Sequence, residues 1–325
     1  MRIYGNNELL ASTARMVAAG REPHSLILHG GKGLGKKAVA KYIAAQLMCE
    51  EGSGIPCGKC HSCMMIERGT HPDLIFAEPN EKGNYIVDDI RDDVVAAAPR
   101  TPSEGNIKVF VIPDLDLSVQ TTVQVQNILL KLIEEPPDHT ALILTARSRE
   151  TFLSTIISRC VSLGVRPVTM QESGEYLQEN YPDRDITEIH EALEAGKGNI
   201  GRCRAYMEKE QFYYSAGLAR DIAAAYTEGS EYQFLKTLAG SDGKKAQLRE
   251  ALYLFSELIR DACVMLTGGQ AEGCDTRAAE GLSRRLTLAA GADLYDTVSS
   301  YIRRIDANCS LSLVCNSLTA EIFGA

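Results

Sequence analysis

Residues 29–39, HGGKGLGKKAV, carry most of a phosphate-binding P-loop of pattern G-x-x-x-x-G-K-S/T, with Gly30, Gly35 and Lys36 in register. In such a loop the glycines let backbone N–H groups converge on phosphate at a helix N-terminus, and the lysine reaches the outer phosphates. The last position departs. Lys37 stands where a Ser or Thr hydroxyl would ligate the Mg²⁺ of Mg-ATP, and an ammonium cannot ligate a cation. The other half of such a site is an Asp at the end of a neighbouring strand, usually followed by a Glu. The matching run, IKVFVI (107–112), leads into Pro113, Asp114, Leu115 and Asp116, with proline in the acid position and no glutamate behind it. A one-residue shift would give the role to Asp114; acids solvating a strand-to-helix turn are the plainer reading. With both halves of the metal site altered, hydrolysis of Mg-ATP here is not expected. ATP binding through Lys36 and the glycines, with Lys37 as a counter-charge in place of Mg²⁺, stays open.

A second cluster lies just downstream. Cys49, Cys57, Cys60 and Cys63 form a C-x-x-C-x-x-C run with one outlying cysteine. In a reducing compartment that pattern suggests metal, and four thiolates close a tetrahedral Zn²⁺ site with no open position, hence a structural one. Three cysteines plus His61 are the alternative, although His61 adjoins Cys60 and would strain the chelate. The other six cysteines (Cys160, Cys203, Cys263, Cys274, Cys309, Cys315) sit in apolar or helical contexts and are expected to be small buried hydrophobes. Further on, TIISRC (155–160) is a polar interruption just before a strand, in which Arg159 reads as a helix-ending arginine paired with a carboxylate.

The elements that must position these residues follow from periodicity. Up to about residue 165, short apolar runs alternate with helical patterns, the signature of a parallel α/β sheet. Strands are expected at 25–29, 73–77, 107–112, 141–145 and 160–164, mostly too continuously apolar for one exposed face. Helices are expected after the P-loop, over YIVDDIRDDVVAAA with Ile86, Ile90 and Val94 on one stripe, and over SVQTTVQVQNILLKLIEEPP. The last of these puts Val125, Ile128, Leu129 and Leu132 on one face before Pro136 and Pro137 stop it. Beyond 166 strand signals vanish. Short amphipathic helices run to about 210, then longer ones to the end, including KKAQLREALYLFSELIRDACVML and the stretch 294–323. Three domains are expected: an α/β domain over 1–165 with a zinc module at 49–63, a small helical domain over 166–210, and an all-α domain over 211–325.

The chain of 325 residues is 45% hydrophobic and 24% charged, ordinary for a globular protein. Its net charge of −9 argues against a broad basic face for non-specific nucleic-acid binding. The opening MRIYGNNELLASTARM has no apolar h-region, and no run reaches about 18 apolar residues, so a cytosolic protein is expected.

Several of these segments together resemble the clamp-loader subunits of bacterial DNA polymerase III, in the AAA+ superfamily, and most closely the delta-prime group. REPHSLILHGGKGLGK resembles that family's opening, and the four cysteines followed by HPDL its zinc insertion. VDDIR resembles the segment before its acid-bearing strand, while VQNILLKLIEEPPDHTALILTA and TIISRC match it closely. GKGNIGRC resembles its lid motif, and IDANCSLSLVCNSL the end of its helical collar. The sequence departs in three places. The first two cysteines enclose seven residues, one fewer than is common, and about three extra residues lie between PDLD and QNILLK. Gly201 and Arg202 stand where the ATP-hydrolysing gamma/tau subunit has its lid arginine.

The resemblance implies an AAA+ domain, a lid over 166–210 and an oligomerising collar over 211–325. It also implies that Ser158, Arg159 and Cys160 are the family's S-R-C motif, whose arginine reaches the ATP of a neighbouring subunit and steadies the charge that builds on the γ-phosphate. The function it implies is a non-hydrolysing stator that helps place a sliding clamp on primed DNA, with gamma/tau and delta subunits as partners. Two rivals remain: an active gamma/tau-like ATPase, opposed by Lys37, Pro113 and an end at the collar, and a free-standing zinc-containing DNA-binding protein, opposed by the charge.

Overall fold

The structure is a computed structural model and describes residues 1–80, 84–115, 119–240, 244–269 and 275–324. It divides into two compact units, Met1–Val168 and Thr169–Ala325.

The first unit is built on a five-stranded parallel sheet of β1 (Ser25–His29), β2 (Leu74–Phe76), β3 (Lys108–Ile112), β4 (Thr140–Ala146) and β5 (Val161–Gly164), in the order β2-β3-β4-β1-β5. All five expected strands are present within a residue or two. The central β1, β3 and β4 are buried almost throughout, whereas β2 and β5 lie at the edges and are partly exposed. Successive residues of a strand face opposite sides, and the two cores show it. Leu26 and Leu28 of β1, with Val109 and Val111 of β3, pack under α1 (Asn7–Ala18) and α2 (Lys36–Met48) through Leu9, Val39, Ile43 and Ala44. Ile27, Phe110, Ile112, Leu142 and Leu144 pack on the other face against α5 (Val119–Glu134) through Val125, Leu129, Leu132 and Ile133.

Between α2 and β2 the chain makes an excursion that contains α3 (His61–Arg68). The stripe expected over 85–98 is broken. Only Val87–Ile90 is α-helical (α4), Arg91–Val95 continues as a π-type turn, and Ile86 is outside the helix and exposed, while Ile90 and Val94 are buried. Ile128 of α5 is only half-buried. The short α6 (Ser154–Ile157) leads into β5.

The second unit is all helical: α7 (Met170–Asn180), α8 (Ile186–Gly196), α9 (Ile200–Met207), α10 (Gln211–Glu228), α11 (Glu231–Ala239), α12 (Lys245–Leu266), α13 (Thr276–Ser283), α14 (Leu288–Asp306) and α15 (Leu311–Phe323). The pattern over 294–323 splits into α14 and α15 at Asn308, which adopts a left-handed backbone (φ 62°). Residues of the expected lid and of the expected collar join one continuous core here, from Leu177 and Cys203 to Phe255 and Leu318. Among the dispersed cysteines, Cys160, Cys203 and Cys315 are buried as expected and Cys263 is half-buried. Cys309 is exposed, because it sits in the turn that separates α14 from α15; Cys274 lies outside the described residues. No helix among the described residues is long and apolar enough to cross a membrane.

Candidate functional site

The glycine-rich loop leaves the C-terminal end of β1, and Gly35 is the N-cap of α2. Lys36, the first residue of that helix, is buried to 6% exposure. Its ammonium donates to the loop carbonyls of Gly30 (2.9 Å) and Gly31 (3.1 Å) and lies 3.8 Å from Asp114 Oδ1. Lys37 turns to the surface, where its Nζ pairs with Glu78 Oε1 at 3.0 Å. After β3, Pro113 accepts a hydrogen bond from the buried Tyr85 hydroxyl through its carbonyl. Burial first, then the nearby Asp114 and Glu78 carboxylates, push that phenol well above its ordinary range. Asp114 has a left-handed backbone (φ 50°), and its N–H donates to the buried Thr145 Oγ1 at the end of β4 (2.9 Å). Asp116 lies outside the described residues. The β3–β4 adjacency thus brings Asp114 to the loop lysine, with Thr145 as a support that no sequence pattern marked.

Arg159 follows α6 and is 43% exposed. Its Nη1 donates to the Thr155 carbonyl (3.1 Å) and to Ser158 Oγ (3.2 Å), and its Nη2 lies 3.2 Å from Glu134 Oε1. The carboxylate partner that the sequence reading foresaw is therefore the last residue of α5, while the guanidinium stays open to solvent. Cys160 beside it is buried, and burial pushes its thiol up to about 12.

The four sulfur atoms of Cys49, Cys57, Cys60 and Cys63 lie within 4.8 Å of one another, and none is in a disulfide. A tetrahedral site with metal–sulfur bonds of about 2.3 Å has sulfur–sulfur edges of about 3.8 Å, so this donor set fits a metal ion. Backbone N–H groups point at the sulfurs: Cys57 to Cys49 at 3.5 Å, Cys60 to Cys57 at 3.3 Å, Cys63 to Cys60 at 3.4 Å. Such donors orient thiolates and offset their charge. Backbone donors from Lys59 and Cys60 pull Cys57 down to about 7, whereas burial pushes Cys63 up to about 12. A bound cation would hold all four as thiolates. His61 is exposed, faces Glu104 at 3.8 Å, and is not in the cluster.

In the second unit Arg202 is not at a loop. It pairs with Glu257 through two bonds of 3.2 Å and lies over the Phe212 ring at 5.5 Å.

A family model described as "DNA polymerase III, delta subunit" matches residues 5–169, just over half of the chain and nearly the whole first unit. The chain belongs to the DNA polymerase III delta-subunit family. Its five-stranded parallel sheet with a phosphate-type loop after β1 is the AAA+ architecture expected from the sequence. It is 35% identical to the DNA polymerase III subunit delta-prime of Pseudomonas aeruginosa over 178 residues, 54% of this chain and 53% of that protein. To the delta-prime subunit of Escherichia coli it is 28% identical over 249 residues, 75% of this chain and 71% of that one. Subunit tau of Escherichia coli is 29% identical over 193 residues, 59% of this chain and 29% of tau. The chain thus spans about half the length of the first of these relatives, and less of tau.

Proposed function

We propose that this chain is a delta-prime-type subunit of the DNA polymerase III clamp loader: a stator that hydrolyses no ATP itself and donates Arg159 in trans to a neighbour's ATP while a sliding clamp is loaded onto primed DNA. The observation that carries the reading is the contrast between two half-sites. In place of the loop's metal-ligating hydroxyl stands Lys37, turned to the surface and paired with Glu78, and Pro113 stands where an acid would follow β3. Arg159, by contrast, presents a solvent-exposed guanidinium at the end of α6. A residue with no ligating oxygen at the Mg²⁺-binding position opposes hydrolysis in cis, and an exposed arginine suits charge stabilisation in trans.

In this reading gamma/tau and delta subunits are the partners, residues 166–210 act as the lid, and 211–325 form the collar that joins them. The clamp and primed DNA are met through the assembly, in the cytoplasm. The four-cysteine cluster holds Zn²⁺ as a closed structural site, since four thiolates leave no position for substrate. Its own residues fix the module; they take no part in phosphoryl transfer.

The test is clamp- and DNA-stimulated ATP turnover by the reconstituted loader, with wild-type chain and with Arg159→Ala, beside the isolated chain. The reading requires an inactive isolated chain and a fall in turnover with Arg159→Ala while the complex still forms. An isolated chain that hydrolyses ATP, and stops on Lys36→Ala, overturns it. A second reading, ATP binding without hydrolysis, draws on Lys36 and the loop glycines being in place. Nucleotide titration decides it, because a lysine standing in for Mg²⁺ requires equal affinity with and without the metal.

A further inference from the structure

Arg159 is gripped from two directions. Its own segment supplies the Thr155 carbonyl and Ser158 Oγ to Nη1, and the Ser158 hydroxyl donates to that same carbonyl at 3.0 Å. The grip on Nη2 comes from elsewhere in the fold, Glu134 Oε1 at 3.2 Å. Glu134 is in an unfavourable place for a carboxylate. It ends α5, where the helix dipole presents its negative pole, and a second acid, Glu135, follows before Pro136. A cation opposite is what relieves it.

We propose that Glu134 is a positioning residue for Arg159: its carboxylate fixes the plane and direction of the guanidinium, so that the arginine meets a neighbour's phosphate already oriented. The inference rests on the trans reading of Arg159 given above. A flexible arginine must surrender its rotamer freedom at the moment of reaction, and one whose Nη1 and Nη2 are already engaged has surrendered much of it beforehand. The contacts to Thr155 and Ser158 engage Nη1, and Nη2 lies against Glu134, which leaves N–H donors of the guanidinium for a phosphate oxygen. Two opposing effects must be weighed. A carboxylate beside the guanidinium also repels phosphate, which would make Glu134 a restraint. Both side chains are 43% exposed, however, so solvent screens the repulsion of phosphate while the 3.2 Å contact still restrains the guanidinium. Orientation is the larger effect.

The test is a double-mutant cycle in the reconstituted loader, with wild type, Glu134→Ala, Arg159→Ala and the double variant read for stimulated ATP turnover, KM for ATP and subunit assembly. Glu134→Ala is expected to lower kcat about two- to fivefold, the range an exposed ion pair can supply, with KM and assembly unchanged. Glu134→Gln, which keeps an acceptor oxygen, recovers part of the loss. In the Arg159→Ala background Glu134→Ala has no further effect. If Glu134→Ala raises turnover, or lowers it equally in both backgrounds, the inference is wrong although Arg159 still acts in trans. If Arg159→Ala is silent, the trans reading fails and takes this inference with it.

Discussion

Asp73 lies between the cysteine cluster and β2, is completely buried, and accepts backbone N–H bonds from Ser103 (2.7 Å), Glu104 (2.8 Å) and Gly105 (3.3 Å). Asp73→Ala leaves those three donors without their acceptor and frees the 103–105 loop from the strand that follows the four-cysteine module. Three hydrogen bonds to a charged acceptor at the lower end of about 1.5–3 kcal/mol each give ~4.5 kcal/mol, of which the exposed donors recover part by turning to water, so a net cost near ~3 kcal/mol is expected. In a unit of this size 1 kcal/mol moves Tm by about 2–4 °C, so the first unit should melt about 6–12 °C lower. Circular dichroism melts of wild type and Asp73→Ala measure it.

The pH dependence has a definite sign. Burial alone would raise the Asp73 carboxyl, but the three N–H donors, with His71 nearby, outweigh it, and the net displacement is downward. A carboxyl lowered by folding contributes stability that is present above its unfolded value, near 3.9, and lost as pH falls through the folded one. The Tm gap between wild type and Asp73→Ala should be level from pH 7 to about 5 and narrow below about pH 4. A Tm loss under about 2 °C, or a gap unchanged down to pH 3, would refute the reasoning.

The other predictions concern the module, the loop and Arg159. Purified chain should release one bound metal ion to a chromophoric chelator, more readily as pH falls from 7.5 to 5.5, because protons then compete for the thiolates. Gly54→Ala should cost at least ~1 kcal/mol in thermal unfolding, since Gly54 has φ 76° and an added Cβ would collide with the Ala14 carbonyl. Lys37→Thr restores the missing hydroxyl but leaves Pro113, so the isolated chain should still show no Mg²⁺-dependent ATP turnover in a phosphate-release assay. Arg159→Ala should change stability by less than ~1 kcal/mol, since its ion pair is exposed; a large loss of Tm would mean that its effect on turnover is a folding effect.

The first unit was legible wherever apolar runs were continuous. SLILH and KVFVI could only be covered strands, and the glycine loop between SLILH and a helical pattern fixed where α2 begins. Edge strands were less plain, because β2 and β5 are only partly buried and their apolar runs are short. The acid-rich VDDIRDDVV kept a helical period in its apolar residues, yet the backbone loosens there into a π-type turn. In the second unit the break at Asn308 was missed because a left-handed backbone makes it without glycine or proline, although Asp306, Asn308 and Ser310 are weak helix formers.

Site partners were the least legible. Glu134 for Arg159, Glu78 for Lys37, Thr145 for Asp114 and Glu257 for Arg202 are all long-range, and each depends on which elements become neighbours. Residue types at fixed spacing name the actor; topology names its partner.

Lys36 shows why a retained P-loop signature alone says little about nucleotide chemistry. Its side chain is 5% exposed, and a buried ammonium is tolerated only when bonded and paired. The Gly30 and Gly31 carbonyls and Asp114 supply that locally. Gly30 is held too, since a Cβ there would meet the Val165 carbonyl that follows β5. These contacts therefore give both residues a structural role in the loop. Lys37 and its partner Glu78 are about half exposed, a pair worth ~0–1 kcal/mol, so stability places almost no demand on a hydroxyl at that position. A chain of this fold that ceased to hydrolyse ATP would keep Gly30 and Lys36 for structural reasons and change first at the cation-binding positions, and it is at 37 and 113 that this sequence departs.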